Sequence, residues 1–342
     1  MLQIPELLAG HRMDRHSFLD RIDEELGGGP RHWSDVVLVR NVGPLQTSVP
    51  LAGDNISNRG FNAIVFAPAG DPTHFLKARP VAHDGFAREA SVTVRLSAQP
   101  HLAAIVPRSR TFIVEPARIL ALEFIEGLTL DVLIRARHGS AWHELAADVL
   151  RSTVPLREAV GALSSEVPAD YAQVLSWRAD LGLLASLGLD AAVTRELAAR
   201  LAAVSLPTEP QHGDFWPRNV LQVASGWRVL DFESCGEAAT PLFDVFHFIR
   251  GCGESAGGGR GDWIERWIEA GKAARPLADE VRSAARGLDL VSIEAALVAY
   301  KMKFTATLHR RGIARERIAV HLTELAALPG QLDQGVMRRL LG

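Results

Sequence analysis

Only two cysteines, Cys235 and Cys252, occur in the 342-residue chain. Two thiols cannot build a zinc site or a disulfide framework, so both are expected to stay reduced in a cytoplasmic protein. No apolar stretch reaches the roughly 20 residues that span a bilayer, and the N-terminus lacks the apolar core of a secretory signal. No membrane partner is therefore expected. Basic runs interleaved with aromatic residues are also missing, and the formal charge is only −3, which argues against a nucleic-acid surface. There is no internal repeat, low-complexity tract, Walker A lysine signature, H-E-x-x-H pair or dinucleotide-binding fingerprint. What remains is an ordinary globular composition, 47% hydrophobic, in a chain long enough for about two domains. Oligomeric state is left open.

The informative stretch is residues 211–221, followed by Leu230-Asp231-Phe232-Glu233. It places Asp214, an amide five residues on at Asn219, and a second carboxylate, Asp231, at the end of an apolar strand. Mg²⁺ takes hard oxygen ligands, usually one or two of them carboxylates, and fills its shell with water and phosphate. A third group is then free to accept a proton from an attacking hydroxyl. Taken singly, Asp214 reads as a turn-forming Asp after Gly and Asp231 as a strand-end cap. The joint spacing favours the chemical reading.

These residues resemble the catalytic signature of the aminoglycoside phosphotransferase and choline kinase superfamily, H-G-D-x-x-x-x-N followed by a strand ending in I/L-D-F/W-E. Here it stands as His212, Gly213, Asp214 and Asn219, then Leu230 to Glu233, with Pro241 to Val245 where that superfamily has its P-x-x-D segment. The resemblance implies an α+β, protein-kinase-like fold of two lobes, with a β-rich N-lobe and a mainly helical C-lobe. It implies Mg²⁺, ATP or GTP as co-substrate, and a small-molecule hydroxyl as acceptor. Asp214 would orient and deprotonate that hydroxyl, Asn219 and Asp231 would hold the metal, and His212 would brace the loop.

If so, the N-terminal half must supply a nucleotide cradle. Asn62 to Ala67 reads as a strand, Ala69 to Pro72 as a turn, and His74 to Ala78 as a second strand carrying Lys77 among apolar neighbours. Kinases keep their phosphate-gripping lysine at such a place. A helical run from about Asp84 puts Glu89 on a face with Phe86, Val92 and Thr93, where it could pair with Lys77. Gly53 to Gly60 is the candidate phosphate-covering loop, with Ser57 and Asn58 as side-chain donors. Arg118 to Gly127 looks like the interlobe hinge. By that alignment Leu122 backs the adenine, while the Glu123 carbonyl and the Ile125 N–H face the base edge.

Three segments are expected: an N-terminal helical extension over 1–30, an N-lobe over 31–126 and a helical C-lobe over 127–342. The extension holds a helix around Arg15 to Leu26, and the C-lobe long helical patterns over Ala141–Ser165, Trp177–Val204, Val291–Arg310 and Arg317–Leu328. One motif competes. Gly253-Glu254-Ser255-Ala256-Gly257 satisfies G-x-S-x-G, the elbow of a serine hydrolase with Ser255 as nucleophile. Such an elbow needs a strand before it and a helix after it, whereas Gly258, Gly259 and Gly261 follow. A non-catalytic nucleotide-binding scaffold is the other alternative, disfavoured because Lys77, Asp214, Asn219 and Asp231 are all present. The acceptor stays open among a sugar, an amino alcohol and an aminoglycoside-like compound. The region after residue 127 is nearly charge-balanced, with tryptophans scattered through it, Trp216 being two residues past Asp214.

Overall fold

Antiparallel pairing of short apolar runs organises the first part of the chain. The computed structural model describes residues 15–26, 37–38, 61–66, 72–137, 142–163, 177–257 and 263–341. The chain folds as two compact units, one of Met1–Gly127 with Gln222–Glu233, the other of Leu128–Leu221 with Ser234–Gly342. The segment Gln222–Glu233 thus groups with the first unit, away from its neighbours in sequence.

In the first unit, β1 (Val37–Leu38), β2 (Phe61–Phe66), β3 (Pro72–Pro80), β4 (Ser109–Val114) and β5 (Ala117–Glu123) form one sheet in the order β1-β2-β3-β5-β4. Pro72 stands at the start of β3, where no ladder N–H is lost. Helix α1 (Arg15–Leu26) buries Phe18, Ile22 and Leu26 at helical spacing. Helix α2 (Asp84–Ser97) starts at His83, whose ring accepts the Phe86 N–H, and carries Asp84 in its first turn and Arg95 in its last. Its inner face is Phe86, Glu89, Ala90, Thr93 and Leu96.

Lys77 stands opposite Leu120 across β3 and β5, and residues directly opposite in an antiparallel pair share a face. Leu120 packs on Phe86 and Ala90 of α2. The lysine therefore projects toward the helix that carries Glu89. The segment Gln222–Glu233 is tied to the same unit by Val229 N–H donating to the Ile105 carbonyl at 2.8 Å and Arg228 to the Ala103 carbonyl at 2.5 Å.

The second unit is helical. It opens with β6 (Leu128–Thr129), and its residues 211–219 lead into the hairpin β7 (Val220–Val223) and β8 (Gly226–Val229). Two of the expected long helices are interrupted. Ala141–Ser165 becomes Trp142–Ser152 and Val154–Gly161, broken at Thr153 with Pro155 in the first turn of the second piece; residues 164 and 165 lie outside the described residues. Trp177–Val204 becomes Trp177–Ser186 and Ala191–Ala202, because Gly188 takes φ 105° and Asp190 caps the second piece through the N–H groups of Ala192 and Val193. The third runs unbroken from Leu290 to Arg310, and the fourth extends over Arg315–Asp333.

Helices Phe243–Ser255, Trp263–Ala270 and Arg275–Ala284 arise in stretches with no expected element. The first is buried from Phe243 through Gly253. Ser255 is its last residue, so G-x-S-x-G lies on a helix end and not on a strand-to-helix turn, which removes the hydrolase elbow. No helix among the described residues is long and apolar enough to cross a membrane. Both cysteines are buried thiols outside any disulfide.

Candidate active site

Gly213 sets the geometry of the loop that carries Asp214. Its φ is 81°, and a Cβ there would lie 3.0 Å from the Ser234 carbonyl carbon and 3.1 Å from the Ser234 Cβ. Only glycine allows that backbone approach. The loop is then pinned by Asp244, whose Oδ2 accepts the His212 N–H at 2.6 Å and whose Oδ1 accepts the Gly213 N–H at 2.9 Å. Asp244 is in the first turn of the Phe243–Ser255 helix and fully enclosed, so burial pushes its carboxyl upward against the pull of His212 and these N–H groups. Gly251 of the same helix lies against Trp216 and Pro217, where a Cβ would come within 2.8 Å and 2.5 Å of their side chains.

On this support the Asp214 carboxylate accepts a hydrogen bond at one oxygen and faces a histidine ring with the other. Asn219 Nδ2 donates to Oδ2 at 3.0 Å and to the Asp214 carbonyl at 2.9 Å. His247 Nε2 lies 3.5 Å from Oδ1. Burial raises the Asp214 carboxyl, but His247, with help from His212 and Arg311, outweighs it and holds the group down at about 2. His212 is itself buried, and its Nδ1 lies 3.4 Å from the Asp214 N–H.

The first unit brings together Lys77, Glu89 and Asp231. Lys77 Nζ donates to Glu89 Oε1 at 2.5 Å and to Asp231 Oδ1 at 2.8 Å. Burial works against the ammonium, yet the two carboxylates more than offset it and hold Lys77 above the ordinary lysine range. Burial likewise lifts the Glu89 carboxyl, with Lys77 holding it back. Asp231 sits at φ 65°, the left-handed region that Asp tolerates better than most residues. Burial pulls Arg79, two residues along β3 and so on the same face, below the ordinary arginine range, against the attraction of Glu89, Glu233 and Asp231.

At the expected hinge, Glu123 ends β5. Its N–H donates to the Arg108 carbonyl at 2.8 Å, and its side chain accepts from Arg108 at 2.6 Å. The Ile125 N–H has no partner among the described residues. Ser57 and Asn58, with the rest of the expected covering loop, lie outside the described residues.

Asn219 and Asp231, each taken within its own unit, carry oxygens of a kind that suits Mg²⁺. Asn219 commits its amide N–H₂ to Asp214, and among the described residues neither Asn219 Oδ1 nor Asp231 Oδ2 has a hydrogen-bond partner. Both are hard oxygens of the kind Mg²⁺ prefers. Asp244 was legible in the sequence only as a member of the P-x-x-D segment, without its role, and His247 and Ser234 were not anticipated. The His one turn after Asp244 was the available signal for His247, since the two share a helix face.

The model of the phosphotransferase enzyme family matches residues 70–282. Among solved structures, the chain is similar to choline kinase from Cryptosporidium parvum Iowa II, with 11% identity, 90% of this chain and 93% of that one covered, and a TM-score of 0.52. It is also similar to a choline/ethanolamine kinase family protein from Mesorhizobium loti, with 14% identity, 95% and 100% covered, and a TM-score of 0.51. At these identities the likeness is one of fold, an α+β kinase-like architecture. No curated protein sequence matches the chain significantly.

Proposed function

The chain belongs to the phosphotransferase enzyme family, and from that membership we propose that it moves the γ-phosphoryl group of ATP or GTP, with Mg²⁺, onto a hydroxyl of a small molecule. The observation that carries the proposal is the Asp214 carboxylate, held ionised and bonded at Oδ2 by Asn219, on a loop that glycine and Asp244 keep in one shape. A carboxyl held at about 2 is a weak base. Phosphoryl transfer through a loose transition state needs little proton pull from the nucleophile, so Asp214 would act mainly by aiming the hydroxyl and taking its proton late.

Lys77 would hold the α- and β-phosphates, with Glu89 fixing the ammonium. Ser57 and Asn58 would cover the phosphates, and the Glu123 carbonyl and Ile125 N–H would meet the base edge. Asn219 and Asp231 would ligate Mg²⁺, which when bound neutralises charge on the phosphate oxygens. The lobes would be 31–126 and 127–342, with 1–30 as an extension and the enzyme cytoplasmic. The acceptor would be a sugar, an amino alcohol or an aminoglycoside-like compound.

The ligand roles are tested by titrating ATP calorimetrically with and without Mg²⁺. The wild type should bind ATP more tightly with Mg²⁺, and Asp231→Ala should lose most of that gain. An undiminished Mg²⁺ effect in the variant would defeat the assignment of Asp231.

A further inference from the structure

His247 is a polar side chain that the proposed transfer does not use. It lies one turn beyond Asp244 on the Phe243–Ser255 helix and is 5% exposed. Its ring is boxed by Trp216 at 4.8 Å, Phe304 at 5.5 Å, Phe243 at 5.7 Å and Tyr300 at 6.2 Å between centroids. Neither ring nitrogen has a hydrogen bond of ordinary length to a described residue. A buried imidazole N–H without a partner is unfavourable, and the polar atom that Nε2 faces is Asp214 Oδ1, 3.5 Å away.

The other Asp214 oxygen is taken by Asn219 Nδ2 at 3.0 Å. Asn219 comes from the catalytic loop and His247 from the helix behind it, so rotation of the carboxylate about its Cβ–Cγ bond is resisted from two separate elements. The aromatic walls in turn stop the imidazole from swinging away to water.

We propose that His247 is a positioning residue for Asp214: its Nε2–H donates to Oδ1 and, opposite Asn219, sets the plane in which the carboxylate meets the acceptor hydroxyl. This rests on Asp214 being the group that receives that hydroxyl. The task needs only a proton on Nε2.

The test uses the full chain with Mg·ATP and water as the phosphoryl acceptor. His247→Phe keeps a ring of similar shape and removes the donor, whereas His247→Gln keeps an N–H donor at similar reach. His247→Phe should lose roughly 10- to 100-fold in kcat with KM for Mg·ATP within about two-fold, and His247→Gln should recover most of it. A purely structural role predicts the reverse order, because Phe packs better in an aromatic box than Gln.

A second measurement needs no turnover. In the ¹H–¹⁵N spectrum of the imidazole groups, His247, identified by its loss in His247→Phe, should be protonated at Nε2. That resonance should move in Asp214→Asn. An Nε2 resonance unmoved by Asp214→Asn, or full kcat in His247→Phe, would overturn the proposal. Turnover surviving in Asp214→Asn would instead overturn the role of Asp214, while the ring resonance would still decide whether the contact exists.

Discussion

Replacing Gly213 with alanine should destabilise the helical unit by an amount that divides into two parts. The first is conformational: at φ 81° an L-residue costs about 1–2 kcal/mol. The second is local crowding, since the new Cβ would press on the Ser234 backbone. Relief requires residue 213 to shift away from Asp244 and lose the 2.9 Å bond from its N–H. A hydrogen bond to a charged group contributes about 1.5–3 kcal/mol. The sum is about 2.5–5 kcal/mol. Gly236 provides the control, because it also takes φ 81° and has nothing within 4 Å of an added Cβ. Gly236→Ala should therefore cost only the first part. At about 2–4 °C per kcal/mol for a unit of this size, calorimetry should show Tm falling about 5–20 °C for Gly213→Ala and about 2–8 °C for Gly236→Ala. Equal shifts in the two variants would refute the idea that Ser234 and Asp244 jointly dictate the loop.

Lys77→Met should weaken Mg·ATP binding and also destabilise the first unit, because it strands the buried Glu89 carboxylate. Adding Glu89→Gln should restore Tm without restoring affinity; joint recovery would mean that Lys77 does not touch the nucleotide. Asp214 gives a pH dependence. Its carboxyl is held at about 2 in the folded chain, below the ordinary value of about 3.9, so its contribution is complete above the ordinary value and is lost as pH falls from there toward 2. Acid unfolding followed by circular dichroism should show Asp214→Asn less sensitive over that window, and identical acid curves would contradict the geometry around Oδ1.

The loop of Asp214 was legible in part because some of the residues that shape it lie within the same short stretch of sequence. Gly213 is required by its own φ and by Ser234, and Asn219 reaches back to Asp214 within the same short loop. Lys77 and Glu89 could be paired from local periodicity, a strand followed by a helix whose inner face includes Phe86 and Thr93. The helix boundaries were harder. The apolar pattern continues across Thr153 and across Gly188, so the breaks show only in single capping residues. The Phe243–Ser255 helix was invisible to periodicity because it is buried on all sides, and Gly251 and Gly253 lower its propensity. His247 was hidden for the same reason, since a histidine among phenylalanines reads as core. Its significance depends on Asp214, more than thirty positions earlier.

Phosphoryl transfer to a small-molecule hydroxyl is tested most directly by incubating the purified chain with Mg²⁺, ATP or GTP, and a panel of sugars, amino alcohols and aminoglycosides. Mass spectrometry is the readout, with Asp214→Asn run alongside. At least one acceptor should gain a phosphoryl group in the wild type and not in the variant. Failure of the wild-type chain to bind either nucleotide in the presence of Mg²⁺, or equal product from both proteins, would contradict the assignment.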